Sequence, residues 1–300
     1  MRRLEKNKLF LFAMSRPTKD EIKSALIREL ELLEAEGVES VNCDSVPIQS
    51  IGQCDSTRSA EQTFGQQTTK ECGAKESDPP VRGGSGREKM LLPDGDKSAR
   101  WNYLRNFVLH CPICNSHVKP GKKVVFGVGN LNADIFFCGE APGADEEIQG
   151  EPFVGRAGQV LTRLIGAMGL NRSDVYIGNI MNWRPEMPTD HGNRPPTQEE
   201  MEICLPYLLA QLEIVQPRVV VALGATAVHG LLGHDPSRRM CDVRGCWYKL
   251  KEIPMLITYH PSFLLRSNIN NPTRIVWEDL MEVMKYLSMP ISEEMQEYFL

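Results

Sequence analysis

The sequence lacks any apolar run long enough to cross a bilayer, any excess of positive charge and any internal repeat. A membrane span needs about 18 consecutive apolar residues, and none occurs in these 300 residues. The apolar stretch Leu9 to Met14 behind Arg2 and Arg3 is too short for a secretory h-region of roughly 7 to 15 residues and has no small-residue cleavage site after it. A cytoplasmic protein without a membrane partner is the expectation. The net charge is −5, and residues 1–100 carry 16 basic and 17 acidic groups against 18 and 22 in the remainder. Neither part generates a general positive field, so any nucleic-acid phosphate must be met by a local cluster of side chains. The nine cysteines are expected, in a reducing compartment, to be small buried hydrophobes or metal ligands rather than disulfides.

Composition divides the chain in three. Residues 1–39 form an extension in which Ile22, Leu26, Leu30, Leu33 and Ala35 recur near helical spacing, predicting one amphipathic helix from Lys19 to Glu36. Residues 40–98 turn to Ser, Thr, Gln, Gly, Asp and Pro. They bury too little apolar surface to offset their ordering entropy, which predicts a disordered linker. From residue 99 short apolar runs alternate with helical stretches. That is the pattern of βαβ units, and it predicts a three-layer α/β/α domain around an open, four-stranded, mainly parallel sheet. The four runs are Asp134–Cys138, Val175–Ile180, Arg218–Leu223 and Met255–His260. Helices are predicted at Gly155–Met168, Thr197–Val215, Ala225–Leu232 and Pro272–Leu287, with Thr197 and Glu200 forming a capping box.

Open parallel sheets bind ligands beyond the carboxyl ends of their strands. Here those ends read Gly139-Glu140-Ala141-Pro142-Gly143, then Asn179, then Gly224-Ala225-Thr226-Ala227, then His260-Pro261-Ser262. Singly, each has a plain reading as a turn, a cap or a satisfied polar group. Their coincidence on one side of the sheet points to one site.

Four further segments extend the pattern: Ala144-Asp145-Glu146-Glu147, Pro152-Phe153-Val154-Gly155-Arg156-Ala157-Gly158, Trp183-Arg184-Pro185 with Asn193-Arg194, and Phe263-Leu264-Leu265-Arg266. In this order and spacing the chain resembles the type 4 uracil-DNA glycosylases from about Cys111 to Leu287. The resemblance implies hydrolysis of the N-glycosidic bond of deoxyuridine in DNA by a monomer that needs neither nucleotide nor magnesium. It implies uracil contacts from Ala141, Phe153 and Asn179, catalysis by Glu140, Glu146 and His260, and DNA contacts from Ser262, Leu264, Leu265 and Arg266. Phe153 offers a stacking face, and the amide of Asn179 can donate and accept along a uracil edge. Activity on hypoxanthine or xanthine, a non-catalytic damage binder and a generic nucleotide-binding module are the competing readings. The amphipathic helix reads as a solvated surface helix, with a tether to a repair or replication partner as the alternative.

The resemblance also implies a 4Fe-4S cluster held by four cysteines. Cys111, Cys114 and Cys204 match three ligands, but Trp183 stands where the fourth belongs. Two readings stay open: three thiolates with a substitute such as His191 or an exogenous thiolate, or no cluster, with the indole filling its volume.

Overall fold

In parallel strands covered on both faces, nearly every side chain is apolar, and the four predicted runs have that composition. In the computed structural model, which describes residues 90–186, 192–267 and 271–299, they become β2 (Ile135–Gly139), β3 (Tyr176–Asn179), β4 (Val219–Leu223) and β6 (Ile253–Thr258), all mutually parallel. The predicted amphipathic helix, the linker up to residue 89 and His191 lie outside the described residues. The expectation of four strands is corrected to six. The sheet order is β1-β3-β2-β4-β6-β5, with β1 (Val128–Gly129) and β5 (Trp247–Leu250) as antiparallel edges. Both escaped detection for a physical reason. β1 is two residues long, and β5, half-exposed along most of its length, is paired by a tight reversal in which Lys251 takes φ +55° rather than by an apolar run.

The pleat sends alternate side chains to opposite layers. Ile135, Phe137, Val219, Val221 and Leu256 pack with Leu161, Leu164 and Ile165 of α4 (Arg156–Ala167) and Val276, Trp277 and Leu280 of α9 (Pro272–Tyr286). Phe136, Cys138, Val220, Ala222 and Ile257 face the other way. They join Leu104 and Val108 of α1 (Lys97–Leu109), Leu208 of α5 (Gln198–Val215) and Val228 of α6 (Ala225–Leu232). Each buried aliphatic or aromatic side chain contributes about 1.5–3 kcal/mol relative to exposure, so slipping a central strand by one residue would misplace a whole row. Short helices α2 (Pro112–Ser116), α3 (Ala144–Gln149), α7 (Met240–Val243), α8 (Pro261–Arg266) and α10 (Glu293–Glu297) complete the described helices.

The helix starts follow local chemistry. Thr197 accepts from Glu200 N, and Glu200 accepts in return from Thr197 N at 2.7 Å, the reciprocal box read from sequence. Asp96 caps α1 by accepting from Ala99 N at 2.7 Å, while Lys97 donates to the carbonyls of Leu131 and Val215. Residues 90–98, assigned from composition to the linker, therefore pack with the folded unit. Among the described residues no helix is long and apolar enough to cross a membrane. Cys111, Cys114, Cys138 and Cys204 are buried, and Cys246 is disulfide-bonded, which corrects the expectation that the cysteines form no disulfides.

Candidate active site at the carboxyl ends of the parallel strands

β2, β3 and β6 end at one cleft of about 590 Å³. Its floor comes from a glycine. Gly139 ends β2, and a Cβ there would lie 2.4 Å from both the Phe153 ring and Asn179 Oδ1. The missing side chain is the space those two groups occupy. Phe153 takes φ +54°, a conformation that costs a non-glycine residue energy. Arg172 donates to the Pro152 carbonyl just before it, and Glu146 accepts from Val154 N and Gly155 N just after it, at 2.9 and 2.8 Å. The phenyl ring lies 5.5 Å from the His260 imidazole.

Asn179 is only 7% exposed, and its buried Oδ1 has no hydrogen-bond partner. A buried unsatisfied acceptor is costly, and this one lines the cleft beside Phe153 and His260.

His260 caps α8. Its Nδ1 accepts from Ser262 N at 3.1 Å and lies 2.9 Å from Ser262 Oγ, which in turn accepts from Arg266 at 3.1 Å. With Nδ1 occupied as an acceptor, the ring proton sits on Nε2. Burial, and then the nearby Arg266 charge, lower the imidazole pKa to about 4, so the ring is a neutral Nε2–H donor at ordinary pH.

The two carboxylates singled out in the sequence differ. Glu140 lies part-buried at the cleft. Burial pushes its pKa up, while the Thr226 hydroxyl, donating at 2.7 Å, and the Arg266 charge pull it back. Glu146 lines the same cleft, but its oxygens accept from three backbone N–H groups, those of Gly143, Val154 and Gly155. That arrangement staples the turn after β2 to the Phe153 loop. Glu147, which received no role from the sequence, is 7% exposed and paired with Arg184 at 2.9 Å and Lys122 at 3.4 Å. Arg184 also donates to Asn193 Oδ1 at 2.9 Å, tying the acidic turn to the segment that forms the far wall.

Ala141, Ser262, Leu265 and Arg266 also line the cleft, but Leu264 does not. Leu264 packs against the α4–α9 layer, whereas Leu265 is 42% exposed. On a helix as short as α8 neighbours point about 100° apart, so only one of the pair faces out. Asp145, Arg156, Pro185, Asn193 and Arg194 line the cleft as well. Arg156, Pro185, Asn193 and Arg194 fall in segments already read as motifs, without a role; Thr226 stood in a strand-end segment, but its pairing with Glu140, 86 residues away, carried no signal.

Cys111, Cys114 and Cys204 are buried together in the α1–α5 layer, with Cys111 Sγ 3.4 Å from the Tyr207 hydroxyl. A hydrogen bond with Cys204, then burial, push the Cys114 thiol far above the usual range. Trp183, 1% exposed, stacks on His117 at 4.6 Å with ring planes 7° apart, and His117 caps the helix that carries Cys114. An indole cannot bind iron. Among the described residues no three His, Cys, Asp or Glu side chains form a metal-binding group, so this donor set does not fit a four-thiolate cluster.

Fold and site together define an open α/β domain with a cleft at its strand ends, lined by an aromatic ring, a buried amide and a neutral imidazole. Comparison with known proteins gives the family. The uracil DNA glycosylase superfamily profile matches residues 126–281. The chain is 43% identical over 184 residues to a type-4 uracil-DNA glycosylase of Thermotoga maritima, covering 60% of this chain and 91% of that one. It is 41% identical over 164 residues to the type-4 enzyme of Archaeoglobus fulgidus (53% and 79%). A type-5 uracil-DNA glycosylase of Pyrobaculum aerophilum is 32% identical over 172 residues (52% and 72%). The chain belongs to the uracil-DNA glycosylase superfamily, among relatives of type 4.

Proposed function

We propose that this protein is a DNA glycosylase that hydrolyses the N-glycosidic bond of deoxyuridine, releasing uracil and leaving an abasic site for base excision repair. The buried, unpartnered Oδ1 of Asn179 carries the reading. Uracil presents a ring N–H between two carbonyls, and that N–H satisfies Oδ1 while the amide Nδ2 donates to a carbonyl; cytosine offers a bare ring nitrogen and leaves Oδ1 unpaired. The base must leave the helix to reach the cleft. Phe153 then stacks on its face, with Ala141 beside it.

As the bond between base and sugar breaks, its electron pair passes to the base and positive charge develops on the sugar. His260 Nε2–H donates to the uracil oxygen that becomes negative, a contribution that grows only in the transition state. Water captures the sugar, and the Glu140 carboxylate orients that water or offsets the cation. Glu146, with three backbone donors on its oxygens, holds the Phe153 loop rather than activating water. Leu265 and Arg266 face the DNA and Ser262 fixes His260.

We read Trp183 as a plug in the volume a cluster would fill, and no step depends on a metal. The catalytic unit is assigned to residues 99–300 together with the packed residues 90–98. The test is cleavage of uracil-containing and inosine-containing oligonucleotides by the full chain and by a chain starting at Met90. Uracil release by both is expected. Preference for inosine, or binding of uracil-DNA without cleavage, would overturn the assignment.

A further inference from the structure

The geometry points to Thr226 as a positioning residue for Glu140. The proposal rests on the reading of Glu140 as the ionised carboxylate of the excision reaction. A threonine in the first turn of a helix ordinarily turns its hydroxyl to nearby backbone groups. Thr226, in the first turn of α6, instead donates to Glu140 Oε2 at 2.7 Å, across 86 residues of sequence, from the end of β4 to the end of β2.

The turn that carries it serves a second purpose. Gly224 takes φ +87°, and a Cβ there would come 2.8 Å from His260 Cβ. Its N–H bonds the Thr258 carbonyl at 2.9 Å, two residues before His260. One tight turn therefore abuts the histidine and anchors the carboxylate, fixing their separation. The hydroxyl points Oε2 in one direction and leaves Oε1 to meet water or sugar. It also favours the ionised form, as does the partial positive charge at the start of α6. Among the described residues the other charged or titratable groups at the cleft are Arg266 of α8 and its neutral cap His260, Asp145 and Glu146 of α3, Arg156 of α4, and Arg194, which is bound to Glu200 at 2.6 Å. Arg266 is the one whose charge adds to the effect of Thr226 on Glu140.

The test compares single-turnover pH profiles of the full chain and its Thr226→Val, Thr226→Ala and Thr226→Ser variants, with Glu140→Gln as control. Removing the hydroxyl raises the Glu140 pKa. The acid limb of the profile is therefore expected to move to higher pH, with a loss of rate on that limb and none on the plateau, while Thr226→Ser keeps the wild-type limb. Thr226→Ala gives the same readout should the valine variant fold poorly. A purely structural threonine would lower the melting temperature and scale the rate equally at every pH; an unmoved limb in the variants, with Glu140→Gln inactive, overturns the role of Thr226 alone. A Glu140→Gln protein that cleaves at the wild-type rate overturns the reading of Glu140 and the proposal with it.

Discussion

Replacing His260 by alanine tests the chemistry most directly. Its Nδ1 is engaged by Ser262 and its pKa is lowered to about 4, so it offers one preorganised, neutral Nε2–H donor. Removing one such donor costs about 2.7–4 kcal/mol of transition-state stabilisation, a fall of roughly 10²–10³ in the single-turnover rate. Affinity for a non-cleavable uracil analogue should change little, because the charge that this donor meets is absent from the ground state. Ser262 N–H loses its acceptor, which costs about 1 kcal/mol in stability. The pH dependence carries a sign. A histidine whose folded pKa lies below its unfolded value of about 6.5 contributes stability that is present above pH 6.5 and lost as pH falls through about 4. Catalysis by the neutral ring persists over the same upper range, whereas catalysis by an imidazolium would decline as pH rises above about 4. The assay measures cleavage rate, analogue affinity and melting temperature on one preparation. A stable His260→Ala protein cleaving at the wild-type rate, or one whose rate and affinity fall together, refutes the reasoning.

Asn179→Asp removes the amide donor and sets a second acceptor against a departing anion, so uracil excision should fall by about 10²-fold or more; an unchanged single-turnover rate would show that another group reads the base. Glu146→Gln turns an NH₂ toward backbone donors at Gly143, Val154 or Gly155. It should cost about 1–3 kcal/mol of stability and weaken analogue binding along with rate, whereas a large rate loss at unchanged melting temperature would return Glu146 to catalysis. Anaerobically purified protein should contain no stoichiometric iron and show no broad thiolate-to-iron absorbance, and Trp183→Cys should gain iron; stoichiometric iron in the wild-type chain sinks the plug reading.

The four central strands, the helices between them and the Thr197 cap were legible in the sequence because each is specified locally, by apolar runs, by spacing along a helix or by a side chain three residues from its acceptor. So were the polar groups at the strand ends, since a parallel sheet presents all its carboxyl ends on one side. The edge strands were not, because a two-residue pairing and a half-exposed hairpin carry no apolar signature. Nor was the difference between two glutamates six residues apart. Sequence makes Glu140 and Glu146 equivalent; only the fold brings three backbone N–H groups to one and a single hydroxyl from a distant turn to the other. Leu264 and Leu265 likewise read alike as DNA contacts until helix geometry turned the first against the core. The sequence alone placed an indole among the cysteines, but the tertiary structure decided its surroundings: a stacked His117 on one side within a buried apolar layer, where an ion meets no fourth thiolate among the described residues and the aromatic ring is 1% exposed.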